Sequence, residues 1–352
     1  MPRLLIAASG TGGHIFPALA LAESLAKSWE IEWLGVPHRL ETELVPKKYK
    51  LIILKVGGLQ GNIFRKIFEL CKLVFSSIKV SILLRQKKID VIFTTGGYIS
   101  APSILGAKLT GIPILLHESN AVPGKVSRLL GRFCDHVALG IPSASDYLPG
   151  CKTSITGTPI RSEFFLEHSL PNWVPMGEGV LIVVMGGSQG AKNMNEMVRH
   201  VLPWLLEKGC RVVHLTGKND CFYRNLGQVE THPNLVIRHF SNEIPALLHN
   251  ADLAISRAGS GAICELMATK TPSILIPFPQ STDHHQEFNA AYMAGFGGSI
   301  IVNQHNPEEL VLKNIISKLL TSKSLIKMKS NMDSHDFLNP KKKIFEIINS
   351  IS

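Results

Sequence analysis

Leu4-Leu5-Ile6-Ala7-Ala8-Ser9-Gly10-Thr11-Gly12-Gly13-His14 is the stretch that decides the fold. Its first half is a short, unbroken apolar run. A strand of that kind is covered on both faces, as in a parallel sheet flanked by helices. Its second half is a glycine-rich turn leading into a helical pattern through Leu19, Ala22, Leu25 and Ala26. Strand, glycine turn and helix together open a doubly wound domain. The same unit recurs at Leu181-Ile182-Val183-Val184-Met185, followed by Gly186-Gly187-Ser188-Gln189-Gly190 and a helix through Met194, Val198 and Val201. The expected fold class is therefore α/β, with two doubly wound, parallel-sheet, Rossmann-like domains. Any two doubly wound domains start this way, so the repeat speaks for fold more than for function.

Working outward, short apolar runs alternate with helical patterns. Strands are expected at Leu4–Ser9, Ile31–Leu34, Leu51–Lys55, Asp90–Thr94, Ile112–Leu116 and His136–Leu139. In the second half they are expected at Val180–Met185, Arg211–Leu215, Leu235–Arg238, Leu253–Ser256, Ser273–Ile276 and Ser299–Val302. Proline and glycine punctuate the stretch from Gly157-Thr158-Pro159 to Pro175, which reads as a linker. The expected domains are 1–162 and 163–335, with a terminal helix in 336–352 that packs back on the first domain.

The length of 352 residues suits about two domains of roughly 100–200 residues each. Hydrophobic residues make up 45% and charged residues 18%, which excludes a disordered chain. No uncharged apolar run of about 18 residues occurs, so no membrane-spanning helix is expected. The glycines from Gly10 cut the leading apolar run too short for a signal peptide. The cysteines (Cys71, Cys134, Cys151, Cys210, Cys221, Cys264) are scattered without a CxxC pair, which favours a reducing cytosol. His284 and His285 are adjacent and cannot share the i, i+4 face of a zinc motif. The net charge of +10 suits nucleic acid, anionic lipid or phosphorylated substrates without choosing among them. A nonenzymatic RNA-binding protein would need aromatic platforms interleaved with basic residues. Aromatics are only 7% and no such run occurs, so no nucleic-acid partner is expected.

Glycine turns at helix entrances present backbone N–H groups and the positive end of the helix dipole to phosphate. Neither turn here fits the GxGxxG fingerprint or a Walker loop. Further polar segments stand at strand ends, where open α/β sheets hold ligands. They are Thr95-Gly96-Gly97-Tyr98, His117-Glu118-Ser119-Asn120, Ser256-Arg257-Ala258-Gly259-Ser260-Gly261 and Asp283-His284-His285-Gln286.

The ordered set resembles the MurG family of bacterial cell-wall glycosyltransferases. It runs through Gly10–Pro17, Gly96-Gly97-Tyr98, His117–Ala121, Gly157–Arg161, Gly186–Ala191, Arg257-Ala258-Gly259 with Glu265, and His285-Gln286 with Asn289-Ala290. Ser119 stands where the family usually has Gln, and Thr158 where it usually has Asn. The resemblance implies the GT-B arrangement, two domains facing a deep cleft. It implies inverting transfer of N-acetylglucosamine from UDP-N-acetylglucosamine to undecaprenyl-diphosphate-MurNAc-pentapeptide (lipid I), with no cofactor and no catalytic metal. It places the enzyme peripherally at the cytoplasmic face of the cell membrane, beside other cell-wall synthesis proteins. A related transferase acting on diacylglycerol is the alternative, sharing the donor loops and differing in the acceptor half.

Residue roles follow from the resemblance. Donor binding falls to Gly187, Ser188, Gln189, Gly190, Arg161, Phe240, Ile244, Gly259, Glu265, Gln286 and Asn289, with Thr11, Gly12, Gly13 and Asn120 from the first domain. Glu265 would accept from the ribose hydroxyls. Gln286 and Asn289 share a helical face and suit the sugar hydroxyls. Phe240 and Ile244 would pack around uracil or lie in the core. Gly12, Gly13, Gly96, Gly97 and Tyr98 would wrap the acceptor diphosphate. His14 is the expected base, because histidine titrates near neutrality, and Glu118 is its competitor.

The stretch from Asn62 to Arg85 carries its own signal. At 100° per residue, Phe64, Ile67, Phe68, Leu70, Leu73, Phe75, Ile78 and Ile82 help fill an apolar arc of roughly 240°, where domain packing needs little over about 100°. Arg65, Lys72 and Lys79, spaced by seven, line the remainder. The expectation is a helix, or two broken ones, packed on the domain by one side and dipping into an anionic membrane surface by the other. The plainer alternative is a buried helical hairpin with basic ends.

Overall fold

The computed structural model describes residues 1–56, 63–187, 190–220, 231–304, 309–321, 323–333 and 339–352, with backbone alone for 63–67 and 309. The chain forms two units, Met1–Arg161 with Leu338–Ser352, and Ser162–Phe337.

In the first unit β1 (Arg3–Ala7), β2 (Glu30–Gly35), β3 (Lys50–Ile53), β4 (Val91–Thr94), β5 (Ile114–Glu118), β6 (His136–Leu139) and β7 (Thr153–Ile155) form one sheet in the order 3-2-1-4-5-6-7. All the pairings are parallel. Leu4 to Ala7 are wholly buried, as a central strand covered on both faces requires. Helices α1 (Gly12–Leu25), α2 (Glu41–Leu44), α3 (Ile63–Lys87), α4 (Ser100–Thr110) and α5 (Lys125–Leu130) connect them.

In the second unit β8 (Leu181–Met185), β9 (Arg211–Leu215), β10 (Leu235–Arg238), β11 (Leu253–Ser256), β12 (Ser273–Leu275) and β13 (Ser299–Ile301) pair in the order 10-9-8-11-12-13, again parallel. Its helices are α6 (Lys192–Glu207), α7 (Ile244–Asn250), α8 (Ser260–Ala268), α9 (His285–Gly295), α10 (Glu309–Thr321) and α11 (Ser324–Asp333). The last helix, α12 (Pro340–Ile351), belongs to the first unit. Its N-cap Asn339 accepts from the Lys342 N–H, and Ile344 and Ile348 are buried among α1 residues such as Leu21 and Leu25.

The twelve expected strands are present, with ends shifted by at most two residues. β7 escaped sequence reading because it is a three-residue edge strand with no buried residue.

α3 is one continuous helix rather than two. Val80 and Leu84 are buried, and Gly106 of α4 lets the helices approach so closely that a Cβ there would lie 2.8 Å from Val80 Cγ1. The opposite side of α3 is open: Phe68 is 62% exposed and Phe75 60%, with Leu70, Val74, Ile78 and Ile82 also exposed and Leu73 half-buried. Lys72 and Lys79 lie over the Phe68 and Phe75 rings at 5.3 and 4.6 Å. A fully buried hairpin is thereby excluded for the described part. Phe64, Arg65 and Ile67 lie outside the described side chains.

Candidate active site

Each sheet reverses its strand order at one place, between β1 and β4 in the first unit and between β8 and β11 in the second. Loops leaving such a point diverge and leave a crevice for ligand. The glycine turns fall there: Ala7 pairs with Thr94, and Met185 with Ser256, immediately before the segments picked out from sequence.

In the first unit Thr11 caps α1 without spending its side chain on the helix. The N–H groups of Gly12 and Gly13 have no carbonyl a turn earlier, which leaves this helix end suited to anionic oxygen. His14 stands one residue on. Its Nδ1 lies 2.6 Å from the Thr95 carbonyl oxygen, a distance that requires an N–H donating to the carbonyl. In the neutral ring Nε2 is then the acceptor. Gly96 and Gly97 lie against that ring with φ of +89° and +78°. A Cβ on Gly96 would come 3.3 Å from His14 Cε1, so there glycine satisfies both the backbone and the approach, while at Gly97 only the positive φ calls for it. Tyr98 follows, 48% exposed. The Thr95 hydroxyl is buried without a partner among the described residues.

Glu118, the rival base anticipated in the sequence, has both carboxylate oxygens engaged by hydrogen bonds. One carboxylate oxygen accepts from the Asn120 backbone and side-chain N–H groups at 3.1 and 3.2 Å. The other accepts from the Gly124 N–H at 3.1 Å and the Ser127 hydroxyl at 2.7 Å. With four bonds accepted, the carboxylate organises the 118–127 turn, and Asn120 is tied to it. Neighbouring His117 is fully buried, donates from Nε2 to the Gly157 carbonyl and accepts at Nδ1 from Ser119. Burial pushes its pKa down to about 4. His117 thus holds the segment leading to half-buried Arg161. The two departures from the family pattern meet in space. Ser119 and Thr158 both crowd the position a Cβ would take on Gly140.

Glu41 was missed by sequence reading. It is wholly buried, and its two oxygens accept from the N–H groups of Gly10 at 3.2 Å and Val36 at 2.8 Å. A buried carboxylate fixing the first residue of a glycine turn shapes that turn as directly as the glycines do. The only sequence signal is an acidic residue in a four-residue helix.

In the second unit, Gly187 and Gly190 adopt φ of +89° and +87°, and the Gly190 N–H closes on the Gly187 carbonyl at 3.0 Å. A Cβ on Gly190 would lie 2.6 Å from the Thr216 carbonyl oxygen. Ser188 and Gln189 lie outside the described residues. Thr216 is held in turn by Asn195, whose amide donates to the Thr216 carbonyl and to Asp220. Arg199 pairs with the same Asp220. His214 touches this buried network through Asn195, and burial pushes its pKa down to about 3.

Gly259 caps α8, and a Cβ there would meet nothing within 4 Å among the described residues. Glu265 sits half-buried farther along α8. Arg257 is nearly buried and donates to the carbonyls of Ile276 and Pro277, with Phe278 beneath its guanidinium. Burial lowers its pKa to about 10, still a cation at neutral pH. Gln286 accepts from the Phe278 N–H at 2.9 Å. Asn289, expected on the sugar side, is wholly buried and donates to the Ala258 carbonyl at 3.1 Å. Asn289 therefore braces the loop that leads to Gly259. Phe240 is 53% exposed and Ile244 half-buried, which removes Phe240 from the core.

Two doubly wound units, each with a glycine turn at its switch point, make up the GT-B fold, and the sequence comparisons place the chain among the glycosyltransferases that use it. Residues 4–139 match the glycosyltransferase family 28 N-terminal domain and residues 181–346 its C-terminal domain. The chain belongs to glycosyltransferase family 28, among the UDP-N-acetylglucosamine--N-acetylmuramyl-(pentapeptide) pyrophosphoryl-undecaprenol N-acetylglucosamine transferases. A transferase of that name from Prochlorococcus marinus (strain NATL2A) is 78% identical over 100% of both chains. One from Synechococcus sp. (strain WH7803) is 55% identical over 91% of this chain and 88% of its own. Among solved structures, Acinetobacter baumannii MurG superposes with a TM-score of 0.82 at 26% identity, covering 99% of this chain and 100% of that one. A calicheamicin glycosyltransferase, 14% identical with a TM-score of 0.71 over 100% of this chain and 98% of its own, shares the fold.

Proposed function

We propose that this chain transfers N-acetylglucosamine from UDP-N-acetylglucosamine to the N-acetylmuramoyl sugar of lipid I, forming lipid II. The observation that carries the reading is the 78% identity, over the full length of both chains, to a transferase named for that reaction. In this reading the first unit binds the acceptor. Gly12, Gly13, Gly96, Gly97 and Tyr98 receive its diphosphate at the N-terminus of α1. The acceptor hydroxyl gives its proton to His14 Nε2 as its oxygen bonds the anomeric carbon. The bond from that carbon to the UDP oxygen breaks with inversion. The second unit binds the donor. The turn around Gly187 and Gly190 and the start of α6 stabilise the departing diphosphate, aided by Arg161, without a metal. Glu265 takes the ribose, Phe240 and Ile244 the uracil, and Gln286 the sugar, with Asn289 supporting from below.

The reading includes peripheral attachment to the cytoplasmic face of the membrane. No described helix is long and apolar enough to cross a membrane. The exposed face of α3, apolar along Phe68, Phe75, Ile78 and Ile82 and edged by Lys72 and Lys79, supports attachment to anionic lipid. Labelled N-acetylglucosamine transfer to a short-chain lipid I analogue tests the activity, with diacylglycerol as the control acceptor. Product from diacylglycerol alone would replace this reading with the other transferase.

A further inference from the structure

We propose that Asp220 is a positioning residue for the donor nucleotide, holding in register the turn that would take the diphosphate and the segment that would take the uracil. This rests on the second unit being the donor unit, and adds to that unit a residue that acts through others.

Two acceptors converge on one buried amide. Asn195 of α6, wholly buried, donates from Nδ2 to the Thr216 carbonyl at 2.9 Å and to Asp220 Oδ2 at 2.5 Å. Both amide hydrogens are thereby used, and the amide oxygen accepts from His214 Nε2 at 3.2 Å. A carboxylate accepts only, so Asp220 allows Asn195 one orientation, nitrogen toward Thr216 and oxygen toward His214. Asp220 is itself 4% exposed, and its charge is met by Arg199, one turn along α6 from Asn195. Hydrogen bonds to an ionised group are stronger than neutral ones, which makes the carboxylate the anchor of the cluster.

The carbonyl held in this way serves two loops. A Cβ on Gly190 would approach the Thr216 oxygen to 2.6 Å, so the glycine turn rests directly against it. The same end of β9 is tied to the end of β10. The Thr216 and Gly217 N–H groups donate to the Arg238 and His239 carbonyls at 3.0 and 2.9 Å, and His239 Nδ1 donates back to the Gly217 carbonyl at 3.1 Å. Phe240 is the next residue. A shift of Thr216 therefore moves the support of the turn and the approach to Phe240 together. Close packing around a buried polar cluster leaves no slack to absorb such a shift locally.

The test is calorimetric titration of the full chain with UDP, with the KM for a short-chain lipid I analogue measured in parallel. Asp220→Ala should raise the Kd for UDP about tenfold and leave the acceptor KM within about twofold. Asp220→Asn still offers Asn195 an oxygen while losing the charge opposite Arg199, and should recover most of the affinity. A role in stability alone would lower the unfolding midpoint of both variants and leave the Kd of the folded fraction unchanged. Should Asp220→Ala fail to fold, Asp220→Glu keeps the charge, displaces the acceptor oxygen by one methylene, and should raise the Kd several-fold. An unchanged Kd in the folded alanine or glutamate variant would overturn the role of Asp220 and leave the donor reading intact. So would a Kd raised equally by Ala and Asn, or an acceptor KM rising in step with it. A wild-type chain that does not bind UDP would overturn both.

Discussion

Thr95 decides which nitrogen of His14 can act. Its carbonyl takes the Nδ1 proton, so Nε2 is left with the lone pair. Replacing His14 by Ala should leave UDP-N-acetylglucosamine binding within a factor of two or so and reduce turnover by roughly 10²–10⁴, the usual worth of a positioned base. Binding calorimetry and single-turnover transfer measure the two separately, and undiminished turnover would remove His14 from the chemistry. Glu41 and Gly190 show what the sequence hides at this scale. A carboxylate in a short acidic segment says nothing about a bond to Gly10, 31 residues away, because only the fold brings them together. Glu41→Gln keeps the size but turns one acceptor into a donor facing a backbone N–H. It should cost about 1–3 kcal/mol in urea denaturation. Gly190→Ala combines a φ of +87° with a Cβ 2.6 Å from a carbonyl oxygen. A loss of donor affinity with little change in acceptor binding is the expected signature.

At the scale of elements, what the sequence reveals depends on how much of a segment's pattern is local. Central strands such as β1 and β8 are legible because burial on both faces leaves only apolar residues. β7 is illegible because an exposed edge strand has no such pattern. α3 is legible in excess: its apolar arc is wider than packing on α4 uses, and the surplus remains exposed. The side-chain bonds of Glu118 and Asn289 were not legible for a related reason. Their spacing puts them at the right end of the right element, while their direction depends on what the element packs against. The exposed strip of α3 makes its own prediction. Phe68→Ser with Phe75→Ser should reduce flotation with anionic vesicles several-fold at low salt and leave the unfolding midpoint nearly unchanged, since neither ring is in the core. Equal flotation of the double variant would place the lipid contact elsewhere.

Across the whole molecule, each unit keeps one buried neutral histidine beside its site, His117 in the first and His214 in the second. Desolvation lowers their pKa values from 6.5 to about 4 and about 3. Between the unfolded and folded values the unfolded chain binds the more protons, so stability rises with pH there. Their contribution is therefore complete above about pH 6.5 and is lost as the pH falls toward about 4 for His117 and about 3 for His214. The units can be followed separately, because Trp33 lies in the first core and Trp204 packs on the second. Denaturation midpoints should be flat above pH 7.5 and fall steadily below 6.5 in both units. His117→Gln retains a donor for the Gly157 carbonyl and cannot titrate. It should reduce the acid slope of the first unit, read from a variant that retains Trp29 and Trp33 and lacks Trp173 and Trp204, and leave that of the second unchanged. If the first unit's slope is undiminished in His117→Gln, its acid sensitivity arises at His136, a second buried histidine of that unit whose pKa burial also lowers.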